Sequence, residues 1–286
     1  MKKVIFICDF FYGDVVGGAE LHDKVVYDRF EDRDILFDKK RCSELTAEYV
    51  LENKDKVWFI SNFVSLSEQV KCILYSNCEY IIYEHDYKFL DCRNPIHFPD
   101  FKAPKRHLIN YNFYKNAKYI VCLCNRHKEI FTKNLTGFEN IVNIGCSMWT
   151  DEQLDLFTRI VDNRQQKKDS FAVIKSSNPI KKTIETETFC KQNSIPYELV
   201  SSPDYEKFIT MLSNYRGLVF MTGHPEPTPR VAIESKMLDI QFVSQKELIG
   251  VAYENYFSLS GIEMINKVRE MREESLSKLI GWINEV

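Results

Sequence analysis

Residues 222–240 read TGHPEPTPRVAIESKMLDI, and this stretch decides the fold class of the chain. It follows the apolar run GLVFM at residues 217–221, which is typical of a buried strand, and it opens a helix with apolar residues at helical spacing. Thr228 is a favourable N-cap residue, and Pro229 suits the first helical position, where its missing N–H costs nothing. A strand, a loop and a helix start predict an anion site, because unpaired N–H groups and the helix dipole point at the same place.

Two carboxylates bracket this turn. Glu226 lies in the loop and Glu234 lies inside the predicted helix, with seven residues between them. The alternative interpretation is an ordinary strand-to-helix connection with two solvated glutamates. These residues alone leave both interpretations open.

The composition is that of a globular protein that is soluble in water. The chain has 286 residues, of which 44% are hydrophobic and 28% are charged, so it can form one large domain or two of ordinary size. The formal net charge of −3 gives no overall preference for nucleic acid or anionic membrane, although local patches remain possible. Asp9 interrupts the first apolar run, and no segment has the roughly 20 apolar residues of a membrane span.

The nine cysteines are scattered and form no CxxC pair, which favours free thiols in a reducing cytoplasm. Cys122 and Cys124 lie two apart in an apolar run, so they share one face of a strand and are expected in the core. No metal site is expected. The spacing of four histidines and cysteines matches no standard zinc pattern; the four are His85, Cys92, His97 and His107. The DRD sequence at residues 32–34 is interpreted as a solvated turn.

Apolar strand runs alternate with helical patterns along the whole chain, which predicts parallel sheets with helices on both faces. Strands are predicted at residues 4–8, 34–37, 57–60, 80–83, 119–124, 141–144, 171–175, 197–200, 217–221 and 241–243. Helices are predicted after Gly17-Gly18-Ala19-Glu20 and at residues 43–53, 66–76, 108–115, 126–134, 182–193, 204–214 and 262–284.

Residues 163–170, NRQQKKDS, are polar and lack apolar periodicity, so they are interpreted as a linker. The predicted domains are therefore residues 1–165, on the acceptor side, and residues 166–286, which bind the nucleotide sugar and include the C-terminal helix. The predicted fold class is α/β, with two Rossmann-like domains whose parallel sheets face an interdomain cleft.

Four features of the sequence, taken in their order along the chain, resemble the retaining glycosyltransferases of family 4, which have the GT-B fold. Gly17-Gly18-Ala19-Glu20 resembles the family's glycine loop after the first strand, and EHDYKF at residues 84–89 resembles its His-Asp-Tyr segment. AKYIVCLCNRH at residues 117–127 resembles a later strand and turn, and PEPTPRVAIE is similar to the family's E-x7-E pattern. The resemblance covers most of the chain.

The resemblance implies a retaining transfer of a sugar from a nucleotide sugar, a UDP-sugar first of all, to an acceptor hydroxyl, without a cofactor or a metal. It implies that Glu226 holds the hydroxyls of the donor sugar, that Glu234 holds the ribose, and that His85 lies beside the transferred sugar. The implied catalytic residues are His85 and Glu226. The implied donor-binding residues are Gly17, Gly18, Lys181, Lys182, Thr228, Pro229, Arg230, Val231 and Glu234, and the acceptor-side residues are Asp86, Tyr87, Lys105 and Arg106.

The chain departs from the family pattern at the phosphate site. Pro227 and Pro229 replace glycines and remove N–H donors, so phosphate contacts fall to Thr228, Arg230 and Val231. The usual arginine of the second domain is not evident near residues 175–177, and Arg230 is a candidate to replace it. The sequence does not decide whether Lys181 or Lys182 binds phosphate.

The acceptor is expected mainly against the first domain, where residues 99–118 mix basic and aromatic side chains and residues 39–41 read KKR. Such a surface suits a cell-envelope glycan or lipid, a peripheral membrane surface, or DNA with hydroxymethylated bases. The alternative is a solvated helix and loop. Two other functions remain open for the whole chain: a nucleotide-sugar epimerase or hydrolase of the same fold, and a nucleotide-sugar-binding protein without catalysis. The oligomeric state is not predicted.

Overall fold

A computed structural model of the chain describes residues 2–15, 17–163 and 166–285. The chain divides into two compact units. The first comprises Met1–Met148 and Arg272–Val286, and the second comprises Trp149–Met271. Both are built from parallel strands with helices between them.

The first unit contains a parallel sheet of six described strands in the order β2-β1-β3-β4-β5-β6. Its central strands are continuous apolar runs because both faces of the sheet are covered. In β1, Ile5 and Ile7 pack into the core on one face, and Val4, Phe6 and Cys8 pack into the core on the other. The strands are β1 (Val4–Cys8), β2 (Leu36–Arg41), β3 (Val57–Ile60), β4 (Glu79–Tyr83), β5 (Tyr119–Cys122) and β6 (Ile141–Asn143). The helices between them are α1 (Gly18–Asp32), α2 (Ala47–Glu52), α3 (Glu68–Asn77), α4 (Tyr111–Asn116) and α5 (Asn125–Asn134).

The second unit has a parallel sheet of four described strands in the order β10-β9-β7-β8. Its strands are β7 (Lys168–Ile174), β8 (Tyr197–Val200), β9 (Tyr215–Val219) and β10 (Gln241–Val243). Its helices are α6 (Asp151–Asp162), α7 (Thr183–Gln192), α8 (Tyr205–Ser213) and α9 (Arg230–Met237). The C-terminal helix α10 (Gly261–Glu285) contributes Met264, Ile265 and Val268 to the core of this unit and Leu276, Leu279 and Ile283 to the core of the first.

In each sheet, the direction in which successive strands are added reverses at one point, although all strands remain parallel. In the first unit, β1 lies between β2 and β3, so the chain crosses over β1 between these two strands. In the second unit, β7 lies between β8 and β9 in the same way. Open parallel sheets bind ligands beyond the carboxyl ends of the strands at such a switch point. The loops after β1 and β3, and those after β7 and β9, are therefore the first places to look for a site.

The predicted α/β fold class, with a Rossmann-like parallel sheet in each of two units, is confirmed. Most strands and helices lie where the sequence predicts them, and the strands at residues 57–60, 197–200 and 241–243 match to the residue. Cys122 and Cys124 are both buried, as expected, and all nine cysteines are free. The DRD sequence forms the end of α1 and a turn in which Asp34 has a φ of 52°, so β2 begins only at Leu36.

Several boundaries differ from the sequence-based prediction, and three of these differences concern the division into units or the start of α9. The units divide after Met148, not after residue 165, because α6 packs into the core of the second unit through Leu154 and Phe157. Within the predicted linker, residues 168–170 belong to β7, whereas Arg164 and Gln165 lie outside the described residues. In α9, Pro229 is the N-cap and Arg230 the first helical residue, so the predicted capping role of Thr228 is wrong by one position.

Helix α6 was not predicted, although its start carries a strong signal. The Thr150 side chain accepts a hydrogen bond from the Gln153 backbone amide, and the Gln153 side chain accepts one from the Thr150 amide. This is a capping box, in which two N–H groups at the helix start are satisfied reciprocally. No helix within the described residues is both long enough and apolar enough to cross a membrane.

Candidate functional site

The switch point of the second unit is bridged by an ion pair between two predicted site residues. Lys181 follows β7 and Glu226 follows β9, and Lys181 Nζ lies 2.9 Å from Glu226 Oε1. Both side chains remain accessible, with 35% and 21% of their surfaces exposed. The Lys181 ammonium also lies 5.4 Å from the ring centre of Phe220. A cation and a carboxylate thus stand together where an α/β sheet binds its ligand.

The backbone around Glu226 is held firmly. Its amide donates to the Leu248 carbonyl at 2.7 Å, and its carbonyl accepts from the Gly250 amide at 2.8 Å. The loops after β7 and β9 are also joined, because the Gly223 amide donates to the Ile180 carbonyl at 3.1 Å. The carboxylate is therefore presented from a rigid support, which a binding or catalytic group requires.

Lys182 is placed differently from Lys181. Its φ of 48° puts it in the left-handed region immediately before α7, and its ammonium pairs with Glu185 at 2.7 Å. Its chain passes over Gly223, where an added Cβ would lie 2.9 Å from Lys182 Cε. Of the two predicted lysines, only Lys181 is paired with Glu226.

Glu234 lies in the middle of a buried polar network, and only 2% of its surface is exposed to solvent. Its Oε1 accepts hydrogen bonds from Trp149 Nε1 at 3.1 Å and from the Tyr205 hydroxyl at 2.7 Å. Trp149 lies in the segment before α6, Tyr205 begins α8 and Glu234 is on α9, so one carboxylate oxygen connects two helices and this segment of the second unit. Among the described residues, no hydrogen bond reaches the other oxygen, Oε2.

Arg230 belongs to the same network. Its guanidinium lies 4.4 Å from the ring centre of Trp149, and Nη2 donates to Tyr205 and Gln153 at 3.3 Å each. Arg230 Nε lies 3.4 Å from Glu234 Oε1, and the residue is 6% exposed. Its side chain is thus packed between aromatic rings inside the unit. The residues before it at the start of α9, Thr228 and Pro229, are also buried, and Val231 is half-buried.

The switch point of the first unit is bridged by Asp9, which follows β1. Its carboxylate accepts from the Val64 amide at 2.8 Å, from the Ser65 amide at 2.9 Å and from the Ser65 hydroxyl at 2.5 Å. These contacts fix the loop that follows β3. Asp9 itself is 9% exposed.

His85, which follows β4, is bound to Asp23, and Asp23 is in turn bound to Ser61; the sequence singled out neither residue. Its Nε2 lies 2.7 Å from Asp23 Oδ1, and the Ser61 hydroxyl donates to Asp23 Oδ2 at 2.6 Å. Asp23 is on α1 and Ser61 directly follows β3, so elements from three parts of the chain hold this histidine. The ring of His22 lies 5.2 Å from the ring of His85.

Gly17 and Gly18 mark the start of α1 as predicted, but an acidic side chain covers this helix end. The Glu20 carboxylate turns back to its own backbone amide, and a Cβ at Gly17 would collide with it. Burial, reinforced by the negative charges of Asp23 and Asp9, raises the pKa of Glu20 despite that hydrogen bond. The place where an anion would meet the helix N-terminus is therefore already occupied by a carboxylate.

The segment after β4 is held by a buried ion network. Lys88 Nζ donates to Glu84 Oε2 at 2.9 Å and to Asp86 Oδ1 at 2.8 Å, and Tyr114 donates to Glu84 Oε1 at 2.6 Å. Burial raises the pKa of Glu84 despite Lys88. Burial acts in the same direction on Asp86, but its ion pairs with Lys88 and Arg93 outweigh it and lower the pKa to about 2.

Two other residues complete the support of this segment. The ring of Tyr87 is 2% exposed and packs against His127 and Phe131, so it belongs to the core. His127 Nε2 donates to the Asp86 carbonyl at 3.0 Å, while its Nδ1 accepts from the Leu123 amide. Burial lowers the pKa of His127 to about 3, so this ring is neutral near pH 7. His127 therefore ties α5 to the segment that carries His85.

The predicted basic and aromatic surface keeps its charges but buries two of its aromatic rings, while Tyr111 remains exposed. Lys105 and Arg106 are exposed, as are Lys102, Lys115 and Lys118, whereas Phe113 and Tyr114 are core residues. The cluster at residues 39–41 is engaged within the unit, since Lys39 lies over Tyr27, Lys40 over Tyr49, and Arg41 pairs with Asp14. This arrangement is a solvated cationic surface without a row of stacking rings.

Sequence reasoning missed the partners that orient the predicted residues, namely Asp23, Ser61, Trp149 and Tyr205. Ser61 is a polar residue directly after β3, and that position would have been the available signal; Trp149 lies between β6 and α6 and carries no such signal. Asp23 and Tyr205 lie on helices where nothing in the local pattern distinguishes them. Among the described residues, no group of three histidine, cysteine or carboxylate side chains is placed to hold a metal ion.

No known protein family and no curated protein matches this sequence. Solved structures match it over nearly the whole chain. The Anabaena protein Alr3699/HepE in complex with UDP superposes with a TM-score of 0.57 and 10% identity, covering 99% of this chain and 100% of that one. The lipopolysaccharide outer core galactosyltransferase WaaB gives a TM-score of 0.57 and 10% identity, covering 99% of each chain.

A third structure, an alpha-glucosyltransferase in complex with UDP and a 13-mer DNA, gives a TM-score of 0.55 and 10% identity, covering 100% of this chain and 93% of that one. At such low identity the similarity concerns the fold. The chain therefore has the two-unit, parallel-sheet α/β fold of these proteins, the GT-B fold.

Proposed function

We propose that this protein is a glycosyltransferase that moves a sugar from a nucleotide sugar, a UDP-sugar first of all, to an acceptor hydroxyl. The observation that carries the proposal is the ion pair of Lys181 and Glu226 across the switch point of the second unit. The ammonium suits a diphosphate, and the carboxylate suits the hydroxyls of the attached sugar. A nucleotide sugar presents these two groups next to each other.

Glu234 supports the nucleotide part of the proposal. Trp149 and Tyr205 hold its Oε1, which orients the carboxylate, and Oε2 is the oxygen that would accept from the two ribose hydroxyls. The similarity of the fold to HepE in complex with UDP agrees with this assignment.

The proposed reaction breaks the bond between the anomeric carbon of the sugar and the diphosphate oxygen and forms a bond from that carbon to the acceptor oxygen. The acceptor hydroxyl gives its proton to the departing diphosphate, so the products are the glycoside and the nucleoside diphosphate. Lys181 stabilises the charge that develops on the diphosphate. Glu226 holds the sugar, and His85 contacts a hydroxyl. In this proposal attack occurs on the face that the diphosphate leaves, which retains the configuration of the anomeric carbon.

We place the acceptor against the first unit and favour a glycan or a lipid-linked glycan. The exposed lysines and Arg106 among residues 102–118 suit an anionic glycan or lipid head group. Phe113 and Tyr114 are buried, which leaves Tyr111 as the exposed ring of the three, whereas proteins that bind single-stranded nucleic acid stack successive bases on several rings. DNA with hydroxymethylated bases is a second candidate, because a protein of this fold has been solved with UDP and DNA.

The test is to incubate the protein with a panel of nucleotide sugars, alone and with glycan, lipid-linked and hydroxymethylated-DNA acceptors. Transfer requires that the release of nucleoside diphosphate depends on the acceptor and that the acceptor becomes heavier by one sugar residue. Release without an acceptor, or conversion to another nucleotide sugar, would show a hydrolase or an epimerase. Binding without either reaction would show a non-catalytic protein. The anomeric coupling constant of the product then distinguishes retention from inversion.

A further inference from the structure

The hydrogen bonds around His85 determine which of its ring nitrogens carries the proton. Asp23 Oδ1, 2.7 Å from Nε2, belongs to a carboxylate, and an ionised carboxylate only accepts hydrogen bonds. In the neutral ring the proton must then be on Nε2, and Nδ1 is left as an acceptor. Among the described residues, none forms a hydrogen bond with Nδ1.

Asp23 is itself fixed in position. Ser61 donates to its Oδ2 at 2.6 Å, so both oxygens are engaged, and the Asp23 side chain is only 3% exposed. The His85 side chain is 9% exposed. The neighbouring His22 also has its proton on Nε2, because its Nδ1 accepts a hydrogen bond from the Met148 amide and its Nε2 therefore donates to the Tyr83 hydroxyl. The rings around His85 thus have one consistent set of proton positions.

The charges next to His85 are negative. Glu20 is close enough to Asp23, to Asp9 and to His85 to interact electrostatically with each of them. The Glu20 carboxylate covers the glycine turn before α1. A phosphate brought to this place would meet like charges and an acceptor nitrogen, whereas a sugar or acceptor hydroxyl can donate to that nitrogen at no such cost.

Building on the proposed function, we propose that Asp23 is a positioning residue. In the neutral form of His85 it holds the proton on Nε2, so that Nδ1 accepts a hydrogen bond from a substrate hydroxyl. The carboxylates of Glu20 and Asp23 keep phosphate away from the glycine turn. The diphosphate then depends on the second unit. The first unit recognises hydroxyl groups.

The direct test is the tautomer of His85, read from ¹⁵N chemical shifts and two-bond couplings of the histidine rings at about pH 9, well above the ordinary pKa of histidine of about 6.5. The signal is assigned by its absence in His85→Gln. The expected state is a single tautomer protonated on Nε2. A proton on Nδ1, or on both nitrogens, would overturn the inference.

Two variants test the role of Asp23. Asp23→Ala is expected to leave the ring a mixture of both tautomers and to lower kcat about 100-fold, the cost of a substrate that is no longer held in the reactive geometry. The affinity of Asp23→Ala for the nucleoside diphosphate should stay within about twofold of wild type, because we propose that this ligand binds to the second unit. Asp28→Ala, on the exposed part of the same helix, is the matched control and should change neither the tautomer nor kcat. An unchanged tautomer or kcat in Asp23→Ala would contradict the inference.

The outcome is distinguishable from that of the proposed function. If no nucleotide sugar is turned over but His85 carries its proton on Nε2, the proposed function fails while the assignment of the tautomer stands. If sugar is transferred and the proton is on Nδ1, only the inference about Asp23 fails. Should Asp23→Ala not fold, Ser61→Ala, which frees one oxygen of Asp23, is expected to lower kcat by a smaller factor of about 3 to 10.

Discussion

Lys181 Nζ lies 2.9 Å from Glu226 Oε1, and the two residues come from the loops that follow the neighbouring strands β7 and β9. The pair holds a cation and an anion at the switch point of a parallel sheet, each with part of its surface exposed. A diphosphate can take the place of the carboxylate beside the ammonium, while the carboxylate turns to the sugar. Each prediction about the donor site starts from this pair.

Lys181→Ala should weaken the binding of UDP and of a UDP-sugar by about 10- to 100-fold, the effect of losing one charge-assisted contact to phosphate. Removing the lysine also leaves Glu226 to repel the diphosphate. Titration calorimetry measures the change. Lys182→Ala is the control, since Lys182 pairs with Glu185 and should leave the affinity within about twofold. Equal losses in the two variants would contradict the assignment of Lys181.

Glu226→Ala should separate sugar binding from nucleotide binding. We expect the affinity for UDP to be unchanged or slightly higher, because a negative charge near the diphosphate is removed. We expect the affinity for the UDP-sugar to fall to that of UDP, and kcat to fall at least about 100-fold, since the sugar is no longer held in the reactive position. A variant that still binds the UDP-sugar better than UDP by the wild-type factor would show that Glu226 does not contact the sugar.

Glu234→Ala should destabilise the second unit as well as remove the ribose contact. The substitution leaves the buried guanidinium of Arg230 without its carboxylate and takes the acceptor from Trp149 and Tyr205. Breaking a buried ion pair on one side costs about 3 to 5 kcal/mol, so the unfolding midpoint in urea should fall clearly.

The half-buried Lys236 on the same helix offers a control for Glu234. Lys236→Ala should lower the free energy of unfolding by only about 1 kcal/mol or less, because the contact that it removes is that of the ammonium with the Phe257 ring. A Glu234→Ala protein with wild-type stability would mean that the network around Trp149 contributes little. A destabilised protein with full nucleotide affinity would remove Glu234 from the ribose site.

His127 should make the stability of the first unit depend on pH. Its folded pKa is about 3 because it is buried, against about 6.5 in the unfolded chain, so the unfolded chain binds a proton in this window and the folded chain does not. The contribution of His127 is fully present above pH 6.5 and is lost at about 1.4 kcal/mol per pH unit as the pH falls toward 3.

A comparison of variants isolates this contribution from that of the carboxylates. Urea unfolding of His127→Gln between pH 4 and 7 should show a slope smaller than that of wild type by about 1.4 kcal/mol per unit. Phe131→Leu, in the ring cluster that contacts His127, should lower the stability at every pH without changing the slope. Parallel curves for His127→Gln and wild type would show that His127 titrates normally in the folded protein.

The sequence predicted the repeated strand and helix pattern well because both sheets are buried on both faces, which forces continuous apolar strands such as residues 4–8 and 57–60. It also located the loops that carry Lys181, Glu226 and His85, because functional groups follow the carboxyl ends of strands. The domain boundary was misplaced because α6 lies before a polar stretch that looked like the linker. The packing of α6 and of the two halves of α10, which decides the true division, involves contacts distant in sequence.

The partners of the site residues could not be predicted for the same reason. Asp23 meets His85 across 62 positions of the chain, and Trp149 meets Glu234 across 85. Arg230 was expected to face a phosphate, but Trp149 and Tyr205 enclose its guanidinium, and local sequence carries no sign of that. Individual residue types indicated chemistry, whereas only the fold determines which of them are held by a neighbour.

The most direct test of the central claim is a calorimetric titration of wild-type protein, Lys181→Ala and Lys182→Ala with a panel of nucleotide sugars. We expect at least one nucleotide sugar, a UDP-sugar first of all, to bind wild type and Lys182→Ala with a Kd in the micromolar range, about −7 to −8 kcal/mol, and to bind Lys181→Ala at least about tenfold more weakly. If no nucleotide sugar binds wild type more tightly than about 1 mM, or if Lys181→Ala binds as well as wild type, the proposed donor site is wrong.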